Sequence, residues 1–147
     1  GGGSSLDSVQ RAAAGLDNVV FVPMQPRERL SEVLAAADIH TILLRHGLAR
    51  SSVPSKMYSI LAAGRPVVAS VDPDTEVTRV LDQAGAGVSV APGAVDELHQ
   101  AIVGLVDDPA RRATMGASGR SWVERWLSPA AVAEAYEELF ERLLDRR

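Results

Sequence analysis

Short apolar runs alternate with segments of helical periodicity along residues 18–91. Four of the runs are rich in β-branched residues and predict strands: residues 18–23, 39–44, 66–71 and 86–91. In the segments between them, apolar residues recur three and four positions apart, as at Val77, Val80, Leu81 and Ala84. This spacing predicts helices with one buried face. Strands that alternate with helices in this way predict an α/β domain with a parallel sheet.

Three more helices are predicted after the last strand. Asp108-Pro109 and Ser128-Pro129 each place a capping side chain before a proline, which is typical of a helix start. The last helix carries the longest apolar stripe of the chain: Val132, Ala135, Tyr136, Leu139, Phe140, Leu143 and Leu144. Four short strands cannot cover so much apolar surface. We expect either that the terminal helices pack on each other or, as we favour, that the sheet has further strands upstream of Gly1.

The composition is that of one globular domain, residues 1–147, which is long enough to bury a core. The net charge of −4 gives no reason to expect a nucleic acid partner. The absence of cysteine excludes disulfides and thiolate metal sites. No apolar run approaches the roughly 20 residues of a membrane span, and no signal peptide is visible, so the sequence predicts a cytoplasmic protein.

The segment from Arg45 to Lys56 combines features that favour an anion. It follows the strand predicted at residues 39–44, and ligands of open parallel sheets bind beyond the carboxyl ends of the strands. Arg45, Arg50 and Lys56, the only lysine of the chain, bring three positive charges to a helix predicted to begin at Pro54. Cations at a helix start oppose the helix dipole unless an anion lies between them.

The same segment also offers hydroxyl groups as hydrogen-bond donors: Ser51, Ser52 and Ser55. The pattern predicts a site for a phosphate or diphosphate; the alternative is that Lys56 only extends into solvent. The segment is not a Walker A loop, and the chain has no GxGxxG motif. Both absences disfavour P-loop ATPases and nicotinamide enzymes.

SVPSKMYSILAAGRPVVAS, residues 52–70, resembles the nucleotide-binding half of bacterial retaining glycosyltransferases of the GT-B fold, group 1 or family 4, and within them the colanic-acid and capsule type. NVVFVPMQPRERLSEVLAAADI (18–39), AGAGVSVAPGAVDELHQAI (84–102) and the terminal helices resemble further segments of that half, in the same order. GGGSS resembles its glycine turn after the second strand. The resemblance implies a Rossmann-like parallel sheet flanked by helices, which is one half of a GT-B fold, with C-terminal helices.

The resemblance also implies roles for individual residues. Ser55 and Lys56, at the helix start near Arg50, would contact the diphosphate of a nucleotide-sugar donor. The backbone from Val22 to Met24 would lie beside the nucleobase. Two glutamates that family members use for the sugar and the ribose are replaced here by serines: Ser51 and Ser59.

Glu76 is a candidate substitute for the missing carboxylates. The alternative is that Glu76 only stabilises the first turn of its helix, where a carboxylate is favoured. The sequence names no catalytic base, and the resemblance implies neither a metal nor a cofactor, because arginine, lysine and the helix dipole can neutralise a departing diphosphate.

By the same resemblance, the full enzyme would transfer a sugar to a polysaccharide or glycolipid acceptor, in a cleft between two domains. This chain would be most of the donor domain, without its first strands and without the acceptor-binding domain. It would be inactive alone and would associate with the membrane only peripherally, through the full-length protein. Two other classes stay open: a non-catalytic module that binds a nucleotide or phosphosugar, and a protein-interaction domain. The second would use the aromatic residues of the last two helices, Trp122, Trp126, Tyr136 and Phe140, for which core packing is the simpler explanation.

Overall fold

The computed structural model of the chain describes residues 5–50 and 52–145. The chain divides between Val33 and Leu34 into two compact units. The smaller unit contains α1 (Leu6–Ala12), a 3-10 turn (Arg27–Arg29) and the start of α2 (Leu30–Ala35). Within residues 5–33 no side chain is buried. The hydrophobic core of the protein therefore belongs to the larger unit.

The larger unit is built on a three-stranded parallel sheet in the order β1 (His40–Leu43), β2 (Val67–Ser70) and β3 (Gly87–Val90). All four residues of the central strand β2 are buried. A strand that is covered on both faces is expected to have no polar alternation, as predicted for residues 66–71. Because the strands are parallel, the loops that follow them leave the sheet at the same edge.

Two helices connect the strands of the larger unit, α3 (Lys56–Ala62) and α4 (Glu76–Ala84). Three further helices follow β3: α5 (Val95–Val106), α6 (Pro109–Trp126) and α7 (Pro129–Leu144). The predicted caps are present: the Asp108 carboxylate accepts a hydrogen bond from the Arg111 N–H, and the Ser128 hydroxyl accepts one from the Ala131 N–H. The predicted class, a parallel sheet flanked by helices with additional C-terminal helices, is confirmed.

The inner faces of α3 and α4 bury the sheet. The apolar stripe predicted for α4 is buried at every position, and α3 buries Met57, Ile60 and Leu61. Together with the strands they form one cluster: Ile42, Ala49, Met57, Ile60, Leu61, Val67, Ala69, Val71, Val77, Val80, Leu81, Ala84 and Ala86. This cluster fixes the positions of the loops at both ends of the strands.

The prediction of a strand at residues 18–23 is wrong. The structure shows turn and irregular backbone there, and the side chains of Val19, Val20, Phe21 and Val22 are exposed. Residues of this kind favour a strand only where a neighbouring strand lets them form a ladder and pack on a face. A local sequence pattern does not show whether such a neighbouring strand exists. Among the described residues the sheet has three strands instead of the predicted four.

The burial expected for the last apolar stripe is also absent. α7 has no buried residue, and Tyr136 and Phe140 are both more than half exposed. On α6, Trp122 packs against the core while Trp126 is exposed. Core packing therefore explains Trp122 but not the other three aromatic residues.

Candidate functional site

The loops that follow β1 and β2 form the walls of a cleft at the carboxyl edge of the sheet. The first wall belongs to residues 44–50 and 52–56, where α3 begins, and the second to residues 71–75, after which α4 begins. The cleft has a volume of about 540 Å³, and residues of both loops and the first residue of α4 line it: Ala49, Ser52, Val53, Pro73, Asp74, Thr75 and Glu76. Ligands of open parallel sheets bind at this edge, so the cleft is the candidate site.

The second wall turns sharply into α4. Asp74 has a φ of 56°, in the left-handed region that aspartate tolerates better than most residues. The Thr75 N–H donates a hydrogen bond to the Thr78 hydroxyl at 3.0 Å, and the Thr75 hydroxyl donates one to the Asp72 backbone carbonyl at 3.0 Å. These bonds hold the second wall to the first turn of α4.

The first wall leads into α3, which begins two residues later than the sequence predicted. Lys56 is the first helical residue, Ser55 occupies the capping position, and the Met57 N–H bonds to the Pro54 carbonyl at 2.9 Å. This bond spans three residues, so a tighter turn precedes the α-helix. Pro54 is therefore not the first helical residue, whereas Lys56 lies in the first turn as predicted.

Two of the three predicted cations are exposed and available to a ligand. Arg45 and Lys56 are both exposed, and within the described part of the chain neither forms a salt bridge. Arg50 ends a 3-10 turn that begins at Leu48, and its side chain lies outside the described part, as does the whole of Ser51. The first wall thus carries positive charge that no described carboxylate neutralises.

The predicted residues on and beside α3 do not line the cleft itself. Ser55 and Lys56 are exposed at the start of the helix, and Ser59 is half-buried one turn later. Glu76, in contrast, lines the cleft. The roles predicted for these residues stay predictions.

Glu76 is already engaged by a neighbouring arginine. Its Oε2 accepts a hydrogen bond from Arg79 Nε at 2.8 Å, and this bond raises the pKa of Arg79. Burial raises the pKa of Tyr58 on α3, the Glu76 carboxylate raises it further, and Arg79 lowers it. Both roles predicted for Glu76 stay open: it is in the first turn of α4, and it faces the cleft. Tyr58 was not predicted to be near it.

Val22 and Met24 belong to the smaller unit, in the irregular segment of residues 19–26. Their side chains are exposed, Met24 by 78%. Their predicted place beside a nucleobase stays a prediction.

Sequence reasoning missed a buried carboxylate that connects the two walls. Asp72 is 1% exposed; its Oδ2 accepts a hydrogen bond from the Gly47 N–H at 2.7 Å. Its Oδ1 lies 2.7 Å from His46 Nδ1, in a close approach that is not an aligned hydrogen bond. The only signal in the sequence is a carboxylate directly after an apolar strand, which is weak because the partners are about 25 residues away.

A larger groove, of about 770 Å³, lies between α4 and α6. Arg79 and Gln83 of α4 and Trp122, Arg125 and Trp126 of α6 line it. These residues belong to helix surfaces and not to loops at the carboxyl ends of strands. The groove therefore does not compete with the cleft as the main candidate site.

The described residues contain neither a membrane-spanning helix nor a metal-binding cluster. None of the described helices is both long and apolar enough to span a bilayer. No group of three or more His, Cys, Asp or Glu side chains in the described ranges is placed to hold a metal ion.

Fold and cleft together define an open α/β domain with its candidate site at the carboxyl edge of a parallel sheet. The family model "Glycosyl transferases group 1" matches residues 1–108, which is well over half of the chain. The chain therefore belongs to the group 1 glycosyltransferases, as the resemblance of residues 52–70 predicted.

Individual relatives agree with this family, and a solved structure agrees with the fold. WcaI of Escherichia coli (strain K12), whose name describes a colanic acid biosynthesis glycosyl transferase, is 31% identical over 69% of this chain and 25% of its own length. A GDP-mannose-dependent alpha-(1-6)-phosphatidylinositol monomannoside mannosyltransferase of Mycolicibacterium smegmatis is 35% identical over 86% of this chain and 34% of its own. Sucrose-phosphate synthase from Thermosynechococcus elongatus superposes with a TM-score of 0.73 over 97% of this chain and 34% of its own, at 22% identity, a likeness of fold. The chain thus spans a quarter to a third of the length of these proteins.

Proposed function

We propose that the chain is the donor-binding domain of a retaining glycosyltransferase that takes a nucleotide-diphosphate sugar and transfers the sugar to a polysaccharide or glycolipid acceptor. The observation that carries the proposal is the position of the cleft. It opens at the carboxyl edge of the sheet, beside a wall on which Arg45 and Lys56 are exposed and unpaired within the described residues. Membership of the glycosyltransferase family supports the same conclusion.

The chemistry of glycosyl transfer requires such a wall. When the bond between the sugar and the diphosphate breaks, negative charge develops on the departing diphosphate. Fixed cations and hydrogen-bond donors stabilise that charge most effectively where water is partly excluded. Lys56 acts as a point charge toward the phosphate oxygens, and Ser52, in the lining of the cleft, adds a hydroxyl donor.

The domain assignment is part of the proposal. The chain covers only 25% to 34% of its relatives' lengths, which supports a longer enzyme whose acceptor-binding domain completes the active site. In that arrangement this chain binds the donor but does not turn it over alone. The enzyme works in the cytoplasm, at the inner face of the membrane when its acceptor is a glycolipid.

Lys56→Ala is expected to weaken donor binding. The measurement is the rise in melting temperature of this chain with UDP-, GDP- and dTDP-sugars, because at a given concentration a ligand that binds only the folded state stabilises it more the more tightly it binds. Loss of a charged hydrogen bond costs about 1.5–3 kcal/mol, so Kd should rise about tenfold or more.

Arg120→Ala is the matched control, because Arg120 is an exposed cation on α6 whose partner is Glu124. It removes the same charge away from the cleft and should leave the response unchanged. If no nucleotide sugar stabilises the unaltered chain, or if both variants respond alike, the proposed donor site is wrong.

A further inference from the structure

Asp72 is the only ionisable residue in the buried class among the described side chains. It follows the central strand β2 by two residues, so it lies at the carboxyl edge of the sheet. Burying a carboxylate is unfavourable unless partners compensate for the lost water. The partners of Asp72 therefore matter to the fold and to whatever binds beside them.

The side-chain partners of Asp72 both belong to the other wall of the cleft. Gly47 donates its backbone N–H to Oδ2, and His46 places Nδ1 2.7 Å from Oδ1. Ala49, two residues after Gly47, and Pro73, directly after Asp72, both line the cleft. The carboxylate thus fastens the loop after β1 to the loop after β2, next to the candidate donor site.

The imidazole of His46 lies against the Asp72 carboxylate at one nitrogen and is otherwise accessible. Its side chain is 86% exposed although Nδ1 is 2.7 Å from a carboxylate that is 1% exposed, so most of the ring faces solvent. The charge of the carboxylate favours a ring orientation with an N–H at Nδ1 toward it, although the two atoms do not form an aligned hydrogen bond. Such a ring is arranged to present its second nitrogen to a ligand.

We infer that His46 contacts the diphosphate of the sugar donor through Nε2, with Asp72 as the residue that positions the ring. The inference rests on the proposed function, because it places an anionic donor in the cleft. It adds a third group that can hydrogen-bond to phosphate to the first wall, beside Arg45 and Lys56.

This contact has a definite pH dependence. With one proton on Nδ1 toward Asp72, Nε2 can donate a hydrogen bond to phosphate only when the ring carries both protons. Donor affinity should therefore be higher at pH 6 than at pH 8, because a lower pH favours the ring with both protons. The other ionisable groups on the two walls and their flanks are Arg45, Lys56, Asp74 and Glu76.

The test compares Kd values of this chain for UDP-glucose and GDP-mannose, by isothermal titration calorimetry at pH 6 and pH 8. Nucleotide sugars are suitable because their diphosphate is esterified at both ends and lacks the ionisation that a phosphomonoester has at about pH 6. His46→Asn keeps a group in the place of Nδ1 and removes Nε2. At pH 6 it should weaken binding about tenfold and abolish the pH dependence. His99→Asn, at an exposed histidine of α5, is the matched control and should change neither.

Asp72→Asn gives a second, independent readout. The ring remains but loses the charge that orients it, so affinity at pH 6 should fall while the melting temperature reports separately whether the fold is intact. Equal affinity and equal pH dependence in His46→Asn and the unaltered chain would overturn the inference and leave the proposed function standing. If the unaltered chain binds neither nucleotide sugar at either pH, both are overturned.

Discussion

Gly116→Ala should lower the free energy of unfolding by about 1–3 kcal/mol, the usual range for an overpacked core. Gly116 lies on α6 where this helix crosses the end of α3. A Cβ atom placed there would lie 2.1 Å from the backbone carbonyl oxygen of Gly64, far inside van der Waals contact. Gly64 ends α3 with a φ of +69°, so the obstacle is backbone, which cannot rotate aside as a side chain can. Alanine gains about 1 kcal/mol of helix propensity over glycine, which only partly offsets the clash.

Gly104→Ala separates the clash from that propensity. Gly104 lies within α5, and a Cβ atom there would meet nothing within 4 Å. It should therefore leave stability unchanged or raise it by up to about 1 kcal/mol. The measurement for both variants is urea unfolding followed by circular dichroism, with equal slopes in denaturant. A Gly116→Ala protein as stable as Gly104→Ala would show that α6 does not pack on the end of α3 at this distance.

The larger unit was predictable where local pattern and burial agree. The α4 stripe of Val77, Val80, Leu81 and Ala84 is both periodic and fully buried, and β2 is both continuously apolar and buried throughout. In these elements the sequence pattern alone shows which residues are buried. A helical period marks the buried face of α4, and an unbroken apolar run marks a strand that is covered on both faces. The location of the candidate site at the carboxyl edge of the sheet was predicted from the parallel arrangement of the strands alone.

The errors fall where the outcome depends on a neighbour. Residues 18–23 have the composition of a strand but are irregular, and the stripe on α7 has the spacing of a buried face but is exposed. A period of 2 or 3.6 shows which residues would share a face; it does not show what covers that face. The contact between Gly116 and Gly64 is invisible in the sequence for the same reason, since the two residues are brought together only by the packing of α6 on α3.

The positions of two cations near the candidate site were predictable from the sequence, whereas the contacts between its loops were not. Arg45 lies on the loop after β1 and Lys56 at the start of α3, where the order of strands and helices placed them. The contact of Asp72 with His46 and Gly47, in contrast, joins residues about 25 positions apart. Parallel topology predicts that the two loops are neighbours, but not which side chain of one reaches the other.

Leu61→Ala should lower the free energy of unfolding by about 2–5 kcal/mol. Leu61 is 0% exposed on the inner face of α3 and belongs to the core cluster with Val67 and Leu81. Shortening it removes buried methyl groups and leaves a cavity that the rigid sheet beneath cannot fill. The first wall of the cleft leads into the amino end of α3. The same variant should therefore also show a smaller rise in melting temperature with nucleotide sugars, even under conditions where it is folded. The measurement is urea unfolding, followed by thermal shift with the ligand that stabilises the unaltered chain.

Leu139→Ala on α7 is the matched control, because it deletes the same atoms from a side chain that is 41% exposed. Most surface substitutions change stability by no more than about 0.5 kcal/mol, so a large difference between the two leucines is expected in this chain. Comparable losses from both would mean that the α7 stripe is covered in solution, and the exposed face described for this helix would be wrong. A loss of stability confined to Leu61→Ala would show that the apolar stripe of α7 is not part of the core. An apolar stripe of helical spacing stabilises a fold only where another surface excludes water from it.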